Sequence, residues 1–262
     1  MPDDRNLQSS GAGWPEIVRQ VRARTPARLL AGRAGAAYRT DTQLELREAH
    51  AAARDAVRAE LDMELTFDAA FRKEWKLFEV STCARSKDEF LLRPDLGRRF
   101  DEPSRSEISE RCPPLADLQI AVGDGLSAPA VAAQVPTLIP LLDHGAKSRG
   151  WSMGKIFVIR YCRVGILNEI GELLKSSVAV LLIGERPGLA TAESLSAYMA
   201  YKPNSSHTDA NRNLISNIHA RGLSATEAAD RILALAVAML KSRMSGCNLR
   251  IEDKSATPKA LL

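Results

Sequence analysis

The chain has 262 residues, of which 45% are hydrophobic and 26% are charged, and its net charge is +4. This length can bury a sizeable core, and no apolar run reaches the ~18 residues that span a bilayer. The balanced charge gives no argument for nucleic-acid binding, and the lack of an apolar leader favours a cytoplasmic protein without membrane contact.

The cysteines and histidines show no metal-binding pattern. The four cysteines are far apart and form no CxxC motif, and the four histidines show no ligand spacing. Reduced thiols in a reducing compartment explain the cysteines best. We therefore expect no metal site made by side chains of this chain.

Residues 1–24 predict a flexible N-terminal segment, and residues 25–114 predict a helical region with partner-contacting segments. The segment before residue 25 contains one short helix at 15–21. Thr25-Pro26 marks a further helix start, and Thr42 with Glu45 resembles a capping box that opens a longer helix. A strand is expected at 77–81. Seven arginines against three acidic residues in the first 40 positions indicate a solvated or partner-facing surface.

One turn of this region, RPDLGRR (93–99), concentrates positive charge. Pro94 requires an extended residue before it, and Gly97 permits a sharp turn. Arg93, Arg98 and Arg99 could bind an anion or the acidic groups of a partner. A solvated turn explains them equally well, so both interpretations stay open.

Residues 115–250 predict an α/β domain, which follows a proline pair at 113–114. Strands alternate with helices, which is typical of a Rossmann-like, mainly parallel sheet flanked by helices. Strands are expected at 118–123, 155–161, 178–183 and 196–201, and the first helices at 128–148 and 167–174.

Further sequence signals refine the helices of this domain. Pro129, Pro136 and Pro140 are expected to kink or split the helix at 128–148. A capping box of Ser224 and Glu227 opens the last helix, and Gly246 is expected to close it. Residues 251–262 predict a tail.

Three loops follow the central strands at 124–127, 162–165 and 184–188. The carboxyl ends of strands in open α/β sheets are where ligands bind. Glycines in these loops permit close backbone approach, Asp124 and Glu185 can accept hydrogen bonds, and Arg163 and Arg186 can donate them. Alternatively, Glu185 and Arg186 only stabilise a tight turn.

Familiar catalytic and nucleotide-binding motifs are absent. No strand is followed by GxGxxG, no GxxxxGK[ST] occurs, and Ser127 lacks the trailing glycine of a nucleophile elbow. His219 is interpreted as a loop histidine bonded to backbone rather than as a general base. A stand-alone α/β module that binds a nucleotide-like ligand at the same edge is an alternative hypothesis.

Eight stretches of the chain form a recognisable set of motifs, namely GRAG (32–35), SKDEFLLRPDLGRR (86–99), LQIAVGDGLS (118–127), FVIRYCRV (157–164), IGELL (170–174), LLIGERPGL (181–189), ESLSAY (193–198) and SNIHARG (216–222). They cover most of residues 25–250, and in this order they resemble the small (light) subunit of ethanolamine ammonia-lyase. LLIGERPGL together with SNIH is highly specific for this resemblance.

This resemblance implies a subunit of an adenosylcobalamin-dependent lyase, which converts ethanolamine to acetaldehyde and ammonia by a radical route. The large subunit would be a TIM barrel that holds the substrate, and the two subunits would form a heterododecamer. The small subunit would cover the cofactor at the interface, carry no catalytic residue and be inactive alone. Location inside a bacterial microcompartment is left open, because the segment before Thr25 is shorter than in some relatives.

The resemblance also places the cobalamin contacts. They fall on Val164, on Glu185 and on Leu214 in an expected loop at 211–219, and we add the neighbouring Arg163 as a cofactor-binding residue. The family often has cysteine at the position of Leu214 and glycine at that of Cys162. No DxHxxG pattern occurs, so we expect no ligand to cobalt from this chain.

Overall fold

The computed structural model describes residues 15–25 and 32–249. Most of the predicted flexible segment, Pro26 of the predicted helix start and the tail lie outside these residues. The strands are β1 (Arg33–Ala34), β2 (Ala37–Tyr38), β3 (Glu79–Ser81), β4 (Leu118–Gly123), β5 (Phe157–Arg160), β6 (Val178–Gly184), β7 (Leu195–Tyr201) and β8 (Asn213–Ile218). The helices are α1 (Glu16–Ala23), α2 (Thr40–Arg58), α3 (Met63–Thr66), α4 (Ala69–Glu74), α5 (Lys87–Leu92), α6 (Glu102–Arg111), α7 (Ala128–Ser148), α8 (Leu167–Leu174) and α9 (Ala225–Ser242).

A six-stranded sheet in the order β3-β5-β4-β6-β7-β8 organises the chain. The first four strands of this order are parallel, β7 pairs antiparallel with β6, and β8 pairs antiparallel with β7. The α/β class with a mainly parallel sheet is thereby confirmed. One edge strand, β3, comes from the region before residue 114, where a strand was expected. The partner contacts of that region stay a prediction.

The central strands are apolar because both faces of the sheet are covered. Every residue of β4 and β6 is buried, as strands between two helical layers require. One face packs against α7 and α9, and the other packs against α6 and α8. We call the second face the α8 face, and it positions the site described below.

The ends of the helices show which start and stop signals operate. Ser224 and Glu227 form the predicted capping box at the start of α9. The box predicted at Thr42 is wrong, because the β1–β2 hairpin leaves Arg39 extended and α2 already begins at Thr40. The C-cap of α9 is Arg243 in a left-handed conformation, so Gly246 does not end the helix.

Helix α7 runs uninterrupted from Ala128 to Ser148, so its prolines do not split it. Pro136 and Pro140 are four residues apart and share the outer side of the helix, where Pro140 is exposed. The carbonyls that lose a hydrogen bond there can be solvated. The opposite side packs Val135 and Leu138 into the core and holds the helix together.

Strand β8 occupies the segment that was expected to be a loop at 211–219. It is an edge strand, and its only large apolar residues on the α7 and α9 side are Ile215 and Ile218. Asn217, at φ +58°, lies near an irregularity in its pairing with β7. These features weaken the alternating pattern by which strands are predicted.

No helix in the described ranges is long and apolar enough to cross a membrane.

Candidate functional site

The three loops predicted to hold ligand contacts lie side by side at the carboxyl edge of the sheet, because β5, β4 and β6 are parallel neighbours. Two of their glycines serve contacts within the chain. A Cβ on Gly125 would lie 2.3 Å from the carbonyl oxygen of Gly184, and one on Gly184 would lie 2.1 Å from that of Ser127. A Cβ on Gly188, by contrast, would meet no atom closer than the backbone nitrogen of Ala190 at 4.0 Å. These contacts fix the loops against each other.

Asp124 is a buried structural carboxylate. It is 1% exposed and accepts hydrogen bonds from the backbone N–H groups of Tyr161 (3.0 Å) and Cys162 (2.8 Å). Lys87 Nζ lies 3.8 Å from its carboxylate and also donates to the carbonyl oxygen of Gly125. Burial raises the pKa of Asp124 and lowers that of Lys87. This pair therefore anchors the loop after β5 and is not available to a ligand.

Arg163 and Val164 lie in that anchored loop. The Arg163 guanidinium is 4.3 Å from the ring centroid of Phe90, and its Nη2 donates to the Phe90 carbonyl oxygen. Burial lowers the pKa of Arg163. Val164 starts a 3-10 turn that runs into α8, and it packs, partly buried, against the apolar cluster of the α8 face.

Glu185 follows β6 and is held by β7 and β8. It accepts hydrogen bonds from the Ser194 hydroxyl (2.8 Å), from the Ser196 hydroxyl and from the backbone N–H of Asn217 (3.2 Å). A carboxylate has about four lone-pair sites, so one acceptor position is left. Glu185 is only partly buried and can offer that position to a ligand.

Leu214 and Tyr198 lie together on the α8 face, where Tyr198 is within electrostatic reach of Glu185. The two residues are direct partners in the pairing of β7 with β8, so they share one side of the sheet. Leu214 is 48% exposed, whereas Tyr198 is partly buried against the same apolar cluster as Val164. Burial raises the pKa of Tyr198, and the charge of Glu185 raises it further.

The structure therefore brings three of the four predicted contacts to one region of the α8 face, namely Val164, Glu185 and Leu214. Arg163 belongs to the same loop as Val164, but its guanidinium lies on Phe90 of α5. Tyr198 was missed as a site residue. The alternation Ser-Leu-Ser-Ala-Tyr, which puts Ser196 and Tyr198 on one side of a strand, is the signal that could have found it.

Other candidate sites lie elsewhere or are absent. A surface cavity of about 320 Å³ lies near β3 and is lined by acidic residues and by Arg160. Arg160 forms ion pairs with Glu60 and Glu79. Among the residues described, no group of three or more His, Cys, Asp or Glu side chains could hold a metal ion. His219 is buried and accepts a hydrogen bond from the backbone N–H of Arg221, as predicted.

Comparisons with known proteins identify the family of the chain. A family model described as the ethanolamine ammonia-lyase light chain matches residues 15–250. The chain is similar to the ethanolamine ammonia-lyase small subunits of Clostridium perfringens (44% identity over 235 residues) and Clostridioides difficile (43% over 235 residues), in each case over 90% of this chain and 78% of the relative. It is also 40% identical over 236 residues to that of Clostridium acetobutylicum, over 90% of this chain and 95% of the relative. The chain therefore belongs to the ethanolamine ammonia-lyase light-chain family.

Proposed function

We propose that this chain is the cobalamin-binding small subunit of an ethanolamine ammonia-lyase. With a large subunit it would convert ethanolamine to acetaldehyde and ammonia in the cytoplasm. The observation that carries the proposal is the convergence of Val164, Glu185 and Leu214 on one region of the α8 face. Family membership supports it, because the relatives are named as small subunits of this lyase.

The residues of this region fit a corrin ring. Its rim carries amide groups, whose N–H bonds can use the remaining acceptor position of Glu185. The exposed side chain of Leu214 and the partly buried ring of Tyr198 offer apolar contact next to that acceptor. A van der Waals contact at position 214 requires no thiol, so leucine can replace the cysteine expected there.

The chain's own groups would bind and orient, while the cofactor supplies the reactive chemistry. Adenosylcobalamin, when bound, supplies the radical chemistry by which the carbon–nitrogen bond is broken. Glu185 would fix the rotation of the corrin, since two hydroxyls and a backbone N–H hold its carboxylate in place. Val164 and Leu214 would exclude water from the ring edge. The substrate would be held by the large subunit in a hetero-oligomer, a heterododecamer by resemblance.

Co-expression tests the proposal. This chain would be produced with the large subunit of the same organism, and cobalamin-dependent release of acetaldehyde would be assayed. We expect activity from the complex and none from either subunit alone. No activity at any subunit ratio would refute the proposal. Sizing and titration of the isolated chain with cobalamins and nucleotides would identify a stand-alone binding module instead.

A further inference from the structure

Two arginines of different loops are each held over a glycine of the other loop. A Cβ on Gly97 would lie 2.7 Å from Cγ of Arg163, and one on Gly165 would lie 2.9 Å from Cγ of Arg98. The backbone N–H of Arg163 also donates to the carbonyl oxygen of Gly97 (2.8 Å). The turn at 96–98 and the turn at 163–165 therefore pack as one unit, which fixes where both side chains start.

A third arginine lies within electrostatic reach of this unit. The charges of Arg186 and Arg98 both lower the pKa of Arg163, in addition to the effect of burial. Arg98 and Arg186 are exposed, and Arg163 is partly buried between the loops. We call Arg98, Arg163 and Arg186 the arginine cluster.

The arginine cluster lacks a directly paired carboxylate within the described part of the chain, although Asp124 acts on Arg163 and Asp95 on Arg98 at longer range. No ion pair there involves a member of the cluster. Three nearby carboxylates have a different cationic partner: Asp95 pairs with Arg93, Asp124 with Lys87 and Asp209 with Arg212. Like charges gathered without a counter-ion are unfavourable, and the missing charge can come from a ligand.

The partly buried member of the cluster has an unused donor. Nε of Arg163 is buried and has no hydrogen-bond partner among the residues that the structure describes. A buried donor without a partner is costly, so such groups often mark the place of an absent ion or ligand. Arg163 is adjacent to Val164, and the cluster therefore lies beside the proposed corrin contact.

We propose that the arginine cluster binds the phosphodiester group in the nucleotide tail of cobalamin. This inference rests on the proposed function and specifies which part of the cofactor these loops recognise. The phosphodiester carries a permanent negative charge, while the corrin side chains are neutral amides. Guanidinium groups match the geometry of phosphate oxygens and bind them with two parallel hydrogen bonds. The inference also assigns a role to Arg98, one of the three arginines of the RPDLGRR turn.

Cobinamide provides a direct test, because it keeps the corrin ring and lacks the nucleotide tail with its phosphate. The complex of this chain with its large subunit would be titrated with cyanocobalamin and with dicyanocobinamide. For R98Q and R186Q we expect about tenfold weaker binding of cyanocobalamin, as for the loss of one hydrogen bond between charged groups. Binding of dicyanocobinamide should change less than about twofold, within ordinary surface effects.

The substitution R93Q is the matched control. Arg93 belongs to the same turn, but it donates two hydrogen bonds to Asp95 (3.0 and 2.7 Å) and lies outside the cluster. It should leave both titrations unchanged. All variants would be checked for assembly with the large subunit by sizing, so that a folding defect is not mistaken for lost affinity.

The outcomes separate this inference from the proposed function. Equal weakening of both corrinoids, or no weakening of either, in R98Q and R186Q would overturn the phosphodiester site and leave the proposed function standing. Loss of assembly with the large subunit, with the cobalamin-to-cobinamide ratio unchanged, would show that the cluster binds acidic groups of the partner and would also overturn it. A wild-type complex that binds neither corrinoid would refute the proposed function itself.

Discussion

The structure places two carboxylates at the carboxyl edge of the sheet, Asp124 and Glu185, in different surroundings. From the sequence, both are expected to accept hydrogen bonds there. Asp124 follows β4 and Glu185 follows the neighbouring strand β6. Each accepts hydrogen bonds from another segment, namely the loop after β5 for Asp124, and β7 with β8 for Glu185. Asp124 is fully buried beside Lys87, whereas Glu185 is only partly buried and forms no ion pair among the described residues.

Burial decides which of the two carboxylates can serve a ligand. The oxygens of Asp124 are used by two backbone N–H groups and a buried ammonium group, and no solvent reaches them. Glu185 keeps one acceptor position at the surface. The comparison therefore assigns Asp124 to the stability of the loop that carries Val164, and it leaves Glu185 as the carboxylate that the proposed function uses for contact with the cofactor.

The largest effect is expected from D124A. It leaves the ammonium of Lys87 buried without a counter-charge and removes the acceptor for two backbone N–H groups. Breaking a buried ion pair costs about 3–5 kcal/mol. We expect the free energy of unfolding to fall by that amount, measured by urea denaturation of the isolated chain.

The variant D95A is the control for this prediction. Asp95 also pairs with a cation, Arg93, but both side chains are solvent-exposed. Exposed ion pairs contribute little to stability, so the unfolding curve of D95A should coincide with that of the wild type. If D124A were equally silent, the structural role of Asp124 would be wrong.

The next effect is expected from E185A, which should affect binding more than folding. The hydroxyls of Ser194 and Ser196 lose their acceptor, which costs about 1–2 kcal/mol of stability. Cobalamin retention by the complex should fall about tenfold, as for the loss of one charge-assisted hydrogen bond. Gel filtration of the complex followed by absorbance of the bound corrinoid measures this.

Two outcomes of E185A are informative. Retention equal to that of the wild type would remove Glu185 from the cofactor site, although the chain would still belong to its family. Destabilisation as large as that of D124A would show that Glu185 is structural too, and the contrast between the carboxylates would be lost.

Sequence patterns were sufficient for the central part of this fold. Strand β4 and helix α8 were predicted with their observed bounds, because continuous apolar runs and helical spacing are strong signals when both faces of a sheet are covered. The carboxyl-edge loops were also placed together, since parallel strands end at the same edge.

The different roles of Asp124 and Glu185 could not be predicted from sequence. They depend on Lys87, which comes from α5, on Ser194 and Ser196, which lie just before and within β7, and on Asn217 of β8. These contacts are made by tertiary packing and leave no local pattern. Strand β8 was missed for a related reason, because an edge strand with few apolar residues has a weak period.

A smaller effect is expected from C162A. This variant distinguishes the contribution of the loop backbone, which it keeps, from that of the Cys162 side chain, which it removes. Asp124 holds Cys162 through the backbone N–H, which alanine retains. The substitution removes only a fully buried sulfur atom that packs over Gly123. We expect a loss of about 1 kcal/mol in urea denaturation, similar to the loss of one buried methyl group. A loss as large as that of D124A would mean that the side chain, not the carboxylate, anchors the loop.

The smallest effect is a difference in thiol reactivity. It reports on how the loop after β5, which Asp124 anchors, and the loop of Glu185 after β6 are held. The Cys162 thiol is fully buried, and burial together with the charge of Asp124 raises its pKa, whereas Cys247 is exposed. The thiolate is the reactive form, so iodoacetamide at pH 8 should label Cys247 quickly and Cys162 only after the loop opens. Peptide mapping by mass spectrometry measures both rates.

In D124A the labelling of Cys162 should become faster, because the loop loses its anchor and the thiol loses a neighbouring negative charge. In E185A it should not change, because Glu185 holds β7 and β8 rather than the loop after β5, and acceleration in both variants would mean that one coupled network holds the two loops.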